Sequence, residues 1–139
     1  MALNLTAAYP VTEPSQAGEA RRAAAAHAAR LGFAEERAGR AALVASELAT
    51  NLAKHARGGE LLLRALYAVD GEPEGLEILA IDRGPGMPDV SLSRTDGHST
   101  AGTLGHGLGA IARESDSSQI YTQPSGTIAL GRLWRAGAP

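Results

Sequence analysis

The stretch that decides the fold is Ala45-Ser46-Glu47-Leu48-Ala49-Thr50-Asn51-Leu52-Ala53-Lys54-His55-Ala56. Val44, Leu48 and Leu52 recur every four residues, and with Leu43 they form the apolar stripe of an amphipathic helix predicted over residues 34–56. Gly58 and Gly59 stand behind it as terminators. Glu47, Asn51 and His55 follow one another at i, i+4 and i+8, each step about 6 Å along the same helix face. One helix therefore presents a carboxylate, a carboxamide and an imidazole in a row, bordering its buried stripe, with Lys54 beside them. An ordinary solvated helix face has this pattern too. The alternative is a general base next to a metal or phosphate ligand.

Upstream, residues 3–9 have the composition of a short strand, which Pro10 and Pro14 should end. Residues 15–31 read as a helix with Ser15 as N-cap and Gly32 as stop. Downstream the hydrophobic period changes. Strands are predicted at 60–69 and 76–82, joined by a turn at 70–75 that holds Gly and Pro. Gly84-Pro85-Gly86 breaks this pattern, and residues 89–105 form a polar, Gly-rich segment of the length that functional lids have. A helix at 106–114 and a hairpin, 118–123 with 127–134 around Pro124-Ser125-Gly126, complete the chain. Two helices, a mostly antiparallel sheet and one helix between strands make an α+β two-layer sandwich with its helices on one face.

The 139 residues fit one domain spanning 1–139 and can bury a core without staples. The absence of cysteine excludes disulfides, thiolate-bound zinc, iron–sulfur clusters and a thiol nucleophile. Thirteen basic against fifteen acidic residues leave a formal charge of −2, which gives no electrostatic case for nucleic acid or an anionic membrane. Arg64 interrupts the longest apolar run, and the first 20 residues lack a basic n-region, so a soluble cytoplasmic protein is expected.

Two more clusters carry potential chemistry. Ile78-Leu79-Ala80-Ile81-Asp82-Arg83-Gly84-Pro85-Gly86 puts an acid at the end of an apolar strand, before two glycines. It reads equally as strand-end turn chemistry or as a carboxylate beneath a closely approaching ligand. Thr100-Ala101-Gly102-Thr103-Leu104-Gly105-His106-Gly107-Leu108-Gly109 runs from the polar segment into a helix start, which is either a flexible linker or a phosphate cradle of free amides. It is not a P-loop, since no Gly-Lys-Ser/Thr follows, and its glycine spacing is not that of a Rossmann turn.

The order of these clusters, followed by Gly126-Thr127 before the last strand, resembles the GHKL ATPase superfamily and its Bergerat fold. The family's N box would be Glu47-Leu48-Ala49-Thr50-Asn51, its G1 box Asp82-Arg83-Gly84-Pro85-Gly86, and its G2 glycines Gly105-His106-Gly107-Leu108-Gly109. Within it, Ala45 to Ala56, the segment from Asp82 to Asp89 and His98-Ser99-Thr100 look closest to the RsbT-type branch of the small serine/threonine switch kinases and anti-sigma factors.

The resemblance implies roles. Asn51 would hold Mg²⁺ on the phosphates of ATP, and Glu47 would be the base that deprotonates a partner's hydroxyl. Asp82 would accept from the adenine amino group, with Gly84, Gly86 and Thr127 completing its pocket. The amides of Gly105, Gly107 and Leu108 would cradle phosphate, flanked by His106 and Gly109. Lys54 and His55 would approach ribose or phosphate. The implied partner is a STAS-domain antagonist protein, with a sigma factor or a phosphatase left open, and with neither nucleic acid nor membrane. The alternative is a nucleotide-responsive interaction module without kinase activity, such as the N-terminal part of a larger phosphatase protein.

Overall fold

In a computed structural model the chain is described over residues 6–55, 59–82 and 103–137. Five strands, β1 (Thr6–Val11), β2 (Gly59–Tyr67), β3 (Pro73–Asp82), β4 (Ser117–Gln123) and β5 (Gly126–Trp134), form one sheet in the order β1-β2-β3-β5-β4. Every neighbouring pair is antiparallel. Helices α1 (Gln16–Arg30), α2 (Glu35–His55) and α3 (Thr103–Glu114) supply the second layer. This is the α+β sandwich expected.

The strand register divides the sheet into two faces, because directly opposed residues share a side. Leu61 opposes Ala80, Leu63 opposes Ile78, and Leu76 opposes Leu133. All six are buried with Val44, Leu48, Leu52 and Ile111 in a single apolar cluster, which identifies the helix-covered face. On α1, buried Ala20, Ala24 and Ala28 recur every turn, so small side chains let that helix lie close against α2.

Two glycines show how α2 crosses the sheet. An added Cβ at Gly131 on β5 would run into Ser115 and come within 3.0 Å of Val44. One at Gly59 on β2 would run into the Ile81 carbonyl and come within 2.8 Å of Leu52. From Val44 to Leu52 the helix advances about 12 Å. From Ile78, opposite Gly131, to Asp82, opposite Gly59, β3 advances about 13 Å. The second half of α2 therefore arrives above the end of β3 that carries Asp82.

The far end of the sheet is fastened by a clamp. The Arg37 guanidinium donates from Nη2 to Asp116 Oδ2 and from Nε to the Trp134 carbonyl at 2.9 Å. The same Asp116 oxygen accepts from Trp134 N at 2.7 Å. α2, the α3–β4 junction and β5 are thereby tied together.

Four expectations are corrected. β1 does not end before Pro10 but continues through it to Val11, which an edge strand allows because the missing N–H can face away from the sheet. Ser15 makes no capping bond. Instead the amides of Thr12 and Glu13 donate to Gln16 Oε1, while Ser15 Oγ donates to Glu13. Leu43 is 41% exposed and lies off the buried stripe, whose place Ala41 and Ala45 take. Gly75 belongs to β3, opposite Leu66, rather than to the preceding turn.

Candidate functional site

The apolar stripe of α2 fixes where its polar residues point. Leu48 and Leu52 are buried, and Glu47 and Asn51, each one residue before them, are half-buried on the flank of that stripe. Lys54 is exposed. His55 closes the helix, and its side chain lies outside the described residues. Two helical turns before Glu47 on the same flank is Arg40, which is paired with Glu36 at 2.8 Å. The hydrogen bond to Glu36 holds Arg40 above the ordinary arginine range, with smaller contributions from the charges of Glu114 and Asp116. The Arg37–Asp116 bond places the end of α3 beside the first half of α2, where Arg40 lies. Since α3 packs along α2 with Ile111 in the common core, its start lies toward the half of α2 that carries Glu47 and Asn51.

Asp82 ends β3 on the helix-covered face, opposite Gly59 on β2 and Thr127 on β5. Alternation decides this, because Leu76, Ile78 and Ala80 on the same parity are in the core. Thr127 shares a 2.9 Å hydrogen bond with Thr122 across the β4–β5 hairpin. A cavity of about 660 Å³ opens at this end of the sheet. Asp82, Ile120, Thr122, Ser125, Gly126 and Thr127 are among its lining. The Asp82 carboxylate and the hydroxyls of Thr122, Ser125 and Thr127 around this hollow can select a flat, polar-edged ligand by matching its donors and acceptors.

The predicted residues fall into three groups. Asp82 and Thr127 are brought together at one cavity, and Glu47 and Asn51 lie on the helix above that end of the sheet. Gly84 and Gly86 lie outside the described residues, as does all of the segment 89–105 before Thr103.

The phosphate cradle changes. Helix α3 begins at Thr103, three residues earlier than the sequence predicts. Only the first four amides of a helix lack internal acceptors. Gly105 and His106 keep such amides, whereas Gly107, Leu108 and Gly109 lie further along and their amides join the helix ladder. The glycines make this stretch a weak helix former on its own, and burial of Ile111 favours it from the other end.

Sequence reading missed Thr122, whose partner is identified only by the hairpin register. It also missed Glu77. A charge inside the run from Leu76 to Ile81 was the signal, but its two arginine partners sit on other strands.

With this geometry in place, comparisons with known proteins are specific. The profile of the histidine kinase-like ATPase domain matches residues 11–130. The chain belongs to that family, as the order of its boxes implies. Serine/threonine-protein kinase RsbT of Bacillus subtilis (strain 168) is 37% identical over 90 residues, which is 65% of this chain and 66% of that kinase. The histidine kinase domain from the Erythrobacter litoralis EL346 blue-light activated histidine kinase superposes with a TM-score of 0.52 at 20% identity. That likeness covers 88% of this chain and 61% of the other, and it shows a shared fold. The matches thus span less than two thirds of either relative. Among the described residues no helix is long and apolar enough to cross a membrane.

Proposed function

We propose that this chain is an ATP- and Mg²⁺-dependent serine/threonine protein kinase of the switch-kinase and anti-sigma type, acting on a STAS-domain antagonist protein. The observation that carries this reading is the pair Glu47 and Asn51, half-buried one turn apart on α2 above the Asp82 end of β3. The similarity to a named serine/threonine kinase supports it.

In this reading Asp82 and Thr127 hold the adenine edge, and their opposition across β3 and β5 presets the spacing of acceptor and donor. The free amide of Gly105 and the positive end of α3 favour the phosphates. Among the described residues no three His, Cys, Asp or Glu side chains gather into a metal cage. Asn51 fits a Mg²⁺ held mainly by substrate phosphates and water, as this ion prefers. The metal would offset phosphate charge there. Glu47 takes the proton of the partner's hydroxyl as its oxygen bonds the γ-phosphorus and the bond to the β-phosphate oxygen breaks, releasing ADP.

The test is phosphate transfer from ATP to a purified STAS-domain protein. Glu47→Ala should lower the rate by about 10²–10⁴-fold, the usual worth of a general base, and leave nucleotide affinity unchanged. Undiminished transfer by the variant removes Glu47 from the reaction. Nucleotide-dependent partner binding without transfer in the wild type would replace the kinase by an interaction module.

A further inference from the structure

The second face of the sheet has no helix over it among the described residues. Leu62, Leu66, Leu79 and Ile81, all half-buried, and Ile128 occupy the positions between the core residues and face this way, as does Leu130, which is buried. Ile128 is 36% exposed, and Tyr121, opposite it on β4, is 56% exposed.

In the middle of this apolar face sits Glu77, only 1% exposed. It faces Arg64 on β2 and Arg132 on β5, its direct neighbours in register. Arg64 Nη2 lies 2.7 Å from Oε1, and Arg132 Nε donates to Oε2 at 2.6 Å. One carboxylate therefore holds two guanidinium groups, leaving one positive charge in excess. Both arginines reach solvent, with side chains 42% and 34% exposed. Arg64 Nε is buried without a hydrogen-bond partner. With Tyr67, Leu66 and Trp134 the two arginines line an open depression of about 440 Å³, with Glu74 exposed on its rim. Glu74 is a negative charge on the rim, and it and the solvent-reaching arginines are all partly screened.

We propose that this open face docks an acidic, partly apolar peptide segment of a partner protein, with one carboxylate of that segment seated between Arg64 and Arg132. Three observations converge. Burying Glu77 costs desolvation that an apolar residue would avoid, so its use is to fix the two guanidinium groups in place. A guanidinium already held by one carboxylate keeps donors for a second, and prearranged forks select carboxylates. Apolar side chains surround the cationic centre, as in an interface core with a charged anchor. A two-fold axis through this centre would set its positive excess against itself, so a second copy could meet it only off that axis. The Arg64–Arg132 centre is on the opposite side of the sheet from Asp82 and does not depend on the kinase reading. Ile81, Tyr121 and Ile128, at the end of this face, also line the Asp82 cavity.

The experiment uses the full chain and a capped peptide alternating leucine with glutamate, against a peptide with glutamine in place of glutamate. Amide resonances are followed at low and high salt. Saturable shifts are expected along residues 62–66, 77–81 and 128–134, with affinity about tenfold lower for the glutamine peptide. Arg64→Gln should weaken the acidic peptide about tenfold and Arg64→Lys less, while nucleotide affinity stays unchanged. Arg132 still satisfies Glu77 in both variants, so the sheet should fold. Equal affinity for the two peptides, shifts confined to the helix side, or a wild-type dimer by sedimentation that excludes the peptide would each overturn the proposal.

Discussion

Of the three carboxylates on strand β3, Glu77 and Asp82 lie five residues apart and are treated in opposite ways. Glu77 lies at mid-strand on the open face, closed off by two arginines from neighbouring strands. Asp82 lies at the strand end on the helix side, lining a cavity beside Thr127. An odd spacing places two like side chains on opposite faces of one sheet. What separates them is therefore neither residue type nor strand but which neighbours the register brings. The first carboxylate organises the protein itself, and the second lines a cavity at the end of the sheet.

The sharpest way to break this contrast is Glu77→Gln. Removing one partner of a buried ion pair costs about 3–5 kcal/mol, and the solvent reach of Arg64 and Arg132 lowers the expectation to about 2–3 kcal/mol. Denaturant melts should show that loss, with nucleotide affinity of the folded protein unchanged. Asp82→Asn should give the reverse. Stability should move by less than about 0.5 kcal/mol, as for a site that is not a packing anchor. Nucleotide affinity should fall about 10–30-fold for loss of a hydrogen bond to a charged acceptor, read by calorimetry. An Asp82→Asn variant that melts early but binds normally would merge the two roles.

Thr127→Val comes next, since it deletes the Thr122 partner and one cavity hydroxyl together. About fivefold weaker nucleotide binding is expected, from a net hydrogen-bond worth of about 1 kcal/mol. Arg40→Ala closes the series. The pair Arg40–Glu36 is exposed, and a melt of this variant should coincide with the wild type within error. A measurable loss there would mean that the Glu47 flank of α2 depends on its charges.

The parts of the fold written in local sequence were legible. The stripe of Val44, Leu48 and Leu52 announces α2, and Pro124-Ser125 announces the last hairpin, because both signals lie within a few residues. Non-local facts were not. Pro10 is compatible with β1 only because that strand is an edge, which the β1–β2 register decides. Leu43 looks like core by spacing, yet the helix turns it away from the sheet. Glu77 needs Arg64 and Arg132, which are 13 and 55 residues distant along the chain. At the candidate site, the pairing of Asp82 with Thr127 follows the order of the boxes, but the start of α3 at Thr103 does not follow from its glycines.

The clamp of Arg37, Asp116 and Trp134 has a mechanical consequence. It pins the sheet and two helices at the end opposite Asp82, so the molecule is built like a tuning fork, stiff at the stem and compliant at the tines. Twelve residues make α3 about 18 Å long, so a tilt of about 5° around the pinned end displaces its first turn by about 1.5 Å. Motion is thereby smallest where the layers are joined and largest where the glycines lie. Amide exchange should slow steadily along α3 from Gly105 toward Glu114.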